Sequence, residues 1–268
     1  IHYFQLALER MVRDPSIAVR SWVVRTLTAV LVHDRDLAVR LFKKLCETED
    51  VLLGTNHVEY FIKYALQTHF SCLKPILERM LTSEVPEAAR IAARQVCLAS
   101  LYVEEAKPLA DRCLSGIDTQ RLSSAEVFAS NLRQFRPLCE DKLIQLFNDP
   151  DDKVRVEASN CFDRFEGDEL GKYAGLIEAF VESSAFDITR SSLINALEKT
   201  TAKLPDITCQ VCERYLDAVS SHGELERHAL SDISVSQLIL RIYRQTNDKA
   251  LRTRCLDLAD RIMQIESY

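Results

Sequence analysis

The sequence predicts an all-α chain, folded as a right-handed α-solenoid of about seven helical hairpins closed by a terminal capping helix. Three observations carry that prediction. A seven-residue pattern recurs, as Asp14-Pro15-Ser16-Ile17-Ala18-Val19-Arg20 and as Asp149-Pro150-Asp151-Asp152-Lys153-Val154-Arg155. The two aspartates stand 135 positions apart, at 14 and 149, which divides into four units of roughly 34 residues, a period of helical-pair repeats. The seven prolines keep a similar period: Pro15, Pro86 and Pro150 are 71 and 64 residues apart, and Pro75, Pro108, Pro137 and Pro205 follow at steps of 33, 29 and 68. A residue that costs a helix interior ~3 kcal/mol is thus confined to a period. Finally, only six glycines occur among 268 residues, far below the usual ~7%, where a sheet or a glycine-loop nucleotide site would need more.

The elements follow in order. The first pair joins 4–13 to 17–32: the amphipathic run from Leu6 to Arg13 is stopped by Asp14-Pro15, and Val19-Arg20 opens the second helix. The second pair spans 35–47 and 56–68. The third, 72–82 with 87–102, has Pro75 near its start and Pro86 in its turn. Its second helix, Glu87-Ala88-Ala89-Arg90-Ile91-Ala92-Ala93-Arg94, offers small residues for close helix approach. The fourth spans 104–115 and 122–134, with Pro108 near its start. The fifth spans 137–148 and 153–165, between Pro137 and the second Asp-Pro stop. The sixth, 169–183 with 188–202, keeps only the arginine of the motif, in Asp187-Ile188-Thr189-Arg190. The seventh joins 206–220, behind Pro205, to 231–246. Apolar residues at i, i+3, i+4 and i+7 supply the buried stripes. The last helix, 249–265, carries one such stripe at Leu251, Cys255, Leu258, Ile262 and Ile265, with polar residues on most of its other face, as the end of a stack requires. The whole chain is expected to be one solenoid domain, 1–268.

The motif residues resemble the HEAT-repeat family. The resemblance rests on the aspartate-proline turn and on Val19-Arg20 and Val154-Arg155, with Ala89-Arg90 as a weaker copy that lacks the preceding aspartate. It covers the chain by period and about three repeats by motif. It implies second helices on a concave face where partners dock. A second resemblance lies at the C-terminal end, in Leu238-Ile239-Leu240-Arg241-Ile242-Tyr243-Arg244-Gln245-Thr246-Asn247-Asp248 with Leu251-Arg252 and Cys255-Leu256-Asp257-Leu258. This looks like the closing segment of large bacterial proteins that join an NTPase or effector domain to a helical-repeat tail, some of them in antiphage defence. It implies a recognition arm whose catalytic machinery lies outside the chain. The opening Ile1-His2-Tyr3-Phe4, already in a helical pattern and without methionine, is expected to mark a fragment of a larger multidomain protein.

Bulk properties narrow the function. Net charge is −6 and the pI about 5.6, so the chain lacks the clustered Lys and Arg excess of a general nucleic-acid binder. No apolar span is long enough to cross a membrane, and no signal peptide opens the chain. Nine cysteines, odd in number and mostly on apolar helical faces, read as free buried thiols in a reducing cytoplasm. Cys209-Gln210-Val211-Cys212 is the only Cys-x-x-Cys. It lacks the second pair that zinc needs, so a helical pair of packed thiols is the expectation and no metal is assigned.

No phosphate loop and no Gly-x-Ser-x-Gly elbow is present, and no His-Glu pair extends the resemblance to di-iron helical-repeat enzymes. Ser123-Ser124-Ala125-Glu126 reads as a helix cap with a returning carboxylate. No cofactor and no catalytic residue is therefore expected. Arg20, Arg90 and Arg155 read as a structural ladder bonding turn carbonyls or neighbouring aspartates, the alternative being a basic ladder that faces a ligand. Arg25, Arg94 and Arg133 are the candidates for a surface that meets a partner. Trp22, one turn from Arg25, is either a binding-face residue or a core residue between the first two pairs. The polar stretch from Ser220 to His228 is the longest interruption, a tolerated insertion or a functional loop. The expected function is a non-catalytic protein-binding scaffold or sensor arm. The alternative is a nucleic-acid-binding module that uses an arginine stripe on its concave face, as in some helical-repeat DNA glycosylases.

Overall fold

Every regular element in the computed structural model is helical: fifteen α-helices and three short 3₁₀ turns, with no strand among the described residues. It describes the backbone of 2–47, 49–222 and 229–266, and the side chains of those residues except 2–3, 221–222, 229–232 and 265–266. The chain divides into two compact units, 1–128 and 129–268.

The first unit holds α1 (His2–Met11), α2 (Ile17–Val30), α3 (Arg35–Leu45), α4 (Asp50–Leu53), α5 (Asn56–Leu81), α6 (Pro86–Ser100), α7 (Lys107–Leu114) behind a 3₁₀ turn at Glu104–Ala106, and most of α8 (Asp118–Asn131). In one layer α2 packs on α5 and α5 on α6; α3 lies against α2 and α5, and α7 against α6. Phe42 of α3 stacks on Phe61 of α5 at 4.0 Å between ring centroids. Ala88, Ala89, Ala92 and Ala93 are all fully buried, which lets α6 approach its neighbours closely.

The second unit holds α9 (Arg136–Leu146), α10 (Asp152–Ser159), 3₁₀ turns at Phe162–Arg164 and Glu169–Tyr173, α11 (Ala174–Val181), α12 (Ser184–Lys199), α13 (Pro205–His222), α14 (Ala229–Gln245) and α15 (Lys249–Glu266). Here α10, α12 and α14 pack in succession, as do α9, α11, α13 and, beyond it, α15. Phe180 anchors the core, with Phe162 at 4.8 Å, Phe147 at 5.1 Å and Phe186 at 5.7 Å, tilted and edge-on geometries that aromatic quadrupoles favour. On α15, Leu251, Cys255, Leu258 and Ile262 are buried, while the side chain of Ile265 lies outside the described residues. Arg254 donates to both oxygens of Glu213, at 2.9 and 2.8 Å, and Arg261 to Asp217 at 2.7 Å, which fixes α15 on α13.

The Asp-Pro turn is built twice in the same way. Asp14 Oδ1 accepts the N–H of Ser16 at 2.8 Å, and Asp149 Oδ1 that of Asp151 at 2.9 Å. Each residue so held then caps its helix: Ser16 Oγ accepts from Val19 and Asp151 Oδ1 from Lys153. Before α6 the same bond comes from a hydroxyl, with Ser83 Oγ accepting from Val85 at 3.2 Å.

Several boundaries differ from the sequence reading. The helices expected at 56–68 and 72–82 follow one another without a loop, so α5 is two helices joined at a kink at His69 (φ −131°, ψ 31°). The second begins before 72, so Pro75 lies inside it, where it leaves the carbonyl four residues back without its partner. The bend is clamped from α3: Arg35 Nη1 donates to the Tyr64 carbonyl at 3.1 Å and to Thr68 Oγ1 at 3.0 Å, and Asp36 meets His69 Nε2 at 2.9 Å. Pro86 is the first residue of α6, not a turn residue, a position where its missing N–H costs nothing. Helix α12 starts at Ser184 rather than 188, because the Ser184 and Ala185 N–H groups find Asn148 Oδ1 and the Phe147 carbonyl at the end of α9. It bends at Thr189, whose hydroxyl lies 2.9 Å from the Ala185 carbonyl and 2.8 Å from Ser159 Oγ. Of the polar stretch expected at 220–228, residues 223–228 lie outside the described residues, and α13 runs on to His222.

Ser123 and Ser124 cap nothing. They lie inside α8, buried, donating back to the Thr119 and Gln120 carbonyls at 2.9 Å each. The helix begins earlier because Gln120 is anchored, its Nε2 donating to the Leu81 carbonyl at 2.7 Å.

Candidate partner-binding groove

Three stripes of side chains in the first unit share one spacing. On α2 the burial of Val23, Val24 and Leu27 turns Trp22, Arg25 and Ala29 outward. On α5 the burial of Val58, Phe61, Ile62, Ala65 and Leu66 leaves Asn56, Tyr60, Lys63 and Gln67 on the open side. On α6 the same logic leaves Glu87, Arg90, Arg94 and Leu98. Offsets of three and four keep each set on one helical face. Because α2, α5 and α6 pack in succession, the three faces line a groove.

Its geometry starts at Trp22, which is 60% exposed; the alternative core placement of this residue does not hold. The ring lies 5.6 Å from His57 of α5, and the Arg25 guanidinium sits 5.4 Å from its centroid, a cation–π distance. A hollow of about 490 Å³ between α2 and α5 is walled by Arg25, Thr28, Ala29, His57 and Tyr60. Tyr60, 56% exposed, is also a wall of the next hollow, between α5 and α6, of about 380 Å³. Lys63, Gln95 and Leu98 continue from there to Tyr102 at the end of α6. Both larger hollows stand partly open to solvent, unlike an enclosed small-molecule site.

Charge is unevenly distributed within it. Glu59, only 18% exposed at its side chain, lies between Arg90 at 3.8 Å and Arg94 at 3.6 Å, and Gln95 Nε2 donates to it at 3.3 Å. Arg90 bonds Glu87 at 2.7 Å and Arg94 reaches Glu126 of α8 at 3.2 Å. The Glu87 hydrogen bond first, with Glu59 and Glu126 behind it, holds the Arg90 guanidinium above its ordinary pKa against a smaller opposing effect of burial. Arg25 and Lys63 are exposed and meet no carboxylate among the described residues.

Of the four residues singled out from the sequence, the structure brings Trp22, Arg25 and Arg94 to this groove. Arg133 is elsewhere, in the second unit, where it donates to Glu169 at 2.7 Å and toward the Arg164 carbonyl at 3.5 Å. The Glu169 carboxylate raises the Arg133 pKa, and Arg133 in turn lowers that of Glu169. Sequence reasoning missed Tyr60, Lys63 and Tyr102. Their signal was present, an aromatic and a lysine one turn apart beside a buried stripe, but nothing in one sequence says that this face is left uncovered. The motif arginines divide: Arg155 donates through its Nη atoms to the Asp149 carbonyl at 2.6 Å and to Asp152, while Arg20 has Ile17 where Asp152 stands; the buried Nε of each finds no partner among the described residues.

The thiols are packed. Eight of the nine cysteines are buried and Cys72 is exposed. Burial pushes Cys209 up to about 12 and Cys212 higher still. Among the described residues no group of three His, Cys, Asp or Glu side chains is placed to hold a metal ion, and no helix is long and apolar enough to cross a membrane.

No protein-family model matches the chain and no curated protein does. Among solved structures, the crystal structure of an engineered protein aligns over 97% of this chain and 96% of its own, at 13% identity and a TM-score of 0.27, an overlap that bears on neither fold nor function.

Proposed function

We propose that the chain is a HEAT-like α-solenoid acting as a non-catalytic protein-binding scaffold or sensor arm, with the α2–α5–α6 groove as its docking face. The observation that carries this reading is the set of three aligned stripes, which leave Trp22 and Tyr60 in water instead of in a core. Exposed aromatic anchors beside arginines are what partner-binding surfaces concentrate. The duplicated Asp-Pro turn supports the repeat architecture, since two copies 135 positions apart build the same bond from the aspartate to the N–H two residues on. The likeness of 238–258 to the closing segment of bacterial NTPase or effector proteins supports the role of an arm.

The test is selection of displayed random dodecapeptides on the intact protein, against a Trp22→Ala/Tyr60→Ala variant of unchanged melting temperature. Peptides that bind the wild type and lose the variant are expected. Selection that cannot tell the two proteins apart would overturn the groove as the docking face.

A second reading, nucleic-acid binding along an arginine stripe, draws on the same groove, since cations beside aromatic rings also bind single strands. The carboxylates of Glu59, Glu87 and Glu126 around Arg90 and Arg94 weigh against it, as does a net charge of −6. Mobility of duplex and single-stranded DNA with the protein at ~50 and ~200 mM salt decides between the two readings.

A further inference from the structure

We infer that the groove takes an extended acidic segment of a protein partner, one that alternates carboxylates with an aromatic or apolar side chain. This rests on the docking face proposed above and adds the chemistry of what docks there. The walls of the two larger hollows carry four cations, Arg25, Lys63, Arg90 and Arg94, and one carboxylate, Glu59, with Glu87 and Glu126 at the α6 rim paired to Arg90 and Arg94, in a chain where acids outnumber bases by 40 to 34. Glu59 is enclosed and shared between Arg90 and Arg94, so all three carboxylates are committed to the two α6 arginines. Arg25 and Lys63 are left, exposed and without a carboxylate among the described residues, on either side of Tyr60.

Their placement sets a spacing. Packed helices lie ~8–10 Å apart and an extended chain advances ~3.3–3.6 Å per residue. A segment crossing from α2 to α5 therefore meets Arg25 and Lys63 about three residues apart. Reaching Arg94 on α6 takes about three more. Between the charges, the hollow walled by Thr28, Ala29, His57 and Tyr60 accepts one large apolar side chain. Partner carboxylates over Arg25 and Lys63 gain charge-assisted hydrogen bonds without displacing an existing ion pair.

The same geometry disfavours a continuous polyanion. A nucleic-acid strand presents a charge at every nucleotide, and its path past α6 runs beside Glu87, Glu126 and the enclosed Glu59. A peptide can set neutral residues opposite those carboxylates. Electrostatic attraction at one local face of a net-acidic protein also gives the encounter its orientation.

The experiment reads the charge of the dodecapeptides selected on the wild type, then the affinity of the best one and of its copy with every Asp and Glu replaced by the amide. Acidic peptides with an aromatic residue are expected, with binding weakened about tenfold or more in the amide copy, and by Arg25→Glu or Lys63→Glu. Neutral or basic peptides that still require Trp22 and Tyr60 would overturn the acidic assignment and leave the docking face standing. Peptides indifferent to Trp22 and Tyr60 would remove both. An oligothymidylate that binds as tightly as the best peptide and displaces it would replace the acidic segment with nucleic acid.

Discussion

Asp149 and Arg155 close one turn from both ends: the Asp149 carboxylate accepts the Asp151 N–H at 2.9 Å, and its carbonyl accepts Arg155 Nη1 at 2.6 Å. Val154 stands inside that loop of bonds with no exposure. Val154→Asp puts a charge where no partner reaches it, so a loss of ~3 kcal/mol or more is expected, or roughly 10 °C in Tm. Thermal denaturation followed by circular dichroism measures it. A variant that melts like the wild type would mean that Val154 is not packed as the structure has it.

Arg79 on the far half of α5 donates twice to Asp50 at the start of α4, at 2.9 and 2.6 Å, and once to the Cys46 carbonyl at 2.8 Å. A hydrogen bond from Ser83, and then Arg79, hold the Asp50 carboxyl below its usual 3.8, with burial opposing. A depressed carboxyl stabilises the fold above its unfolded pKa and loses that contribution as pH falls through the folded value. The stability gap between wild type and Asp50→Asn should therefore be constant near neutrality and close below about pH 4. Urea midpoints across that range test it. A gap that persists at low pH would show that the carboxylate is not the source.

The thiols should react in two classes. Cys72 is exposed; burial pushes Cys139 and Cys209 up to about 12, which leaves almost no thiolate at neutral pH. One fast equivalent with an aromatic disulfide reagent is expected, abolished by Cys72→Ser, with the rest appearing only on unfolding. Chelators should leave Tm unchanged. Stoichiometric zinc lost on Cys212→Ser would contradict the packed-thiol reading.

Removing 249–268 strips α15 from α13 and α14. Leu251, Cys255, Leu258 and Ile262 leave with it, so apolar faces of α13 and α14 become wet and the truncated chain should aggregate. A monomeric truncation of equal stability, read by light scattering and melting, would make α15 a dispensable tail.

Much of this was legible from sequence, and the reasons are local. Leu251, Cys255, Leu258 and Ile262 are buried because a 3.6-residue period admits one inward face. Asp14 and Asp149 bond within two residues of themselves, so their turns depend on nothing distant. What escaped depends on contacts far along the chain. His69 kinks α5 without opening a loop because Arg35 and Asp36, over thirty positions earlier, hold Thr68 and His69 at the break. Ser184 begins α12 early because Asn148 and Phe147 accept its first turn. Trp22 on the open face looks in sequence like any core aromatic, since exposure is decided by which neighbour fails to cover it.

The kink at His69 joins the two halves of α5 without a loop, the first half carrying Tyr60 and Lys63 and the second carrying Arg79. In a hairpin joined by a loop, an added or lost residue is absorbed by the loop. Here it turns everything beyond it by about 100°. The reading frame of α5 is thus locked: an insertion between Thr68 and Pro75 must swing either the groove wall or the Asp50 clasp out of place. Segments that join separate helices, as 115–117 joins α7 to α8, can lengthen at lower cost. Length variation among descendants of this chain should collect at those joints and spare α5.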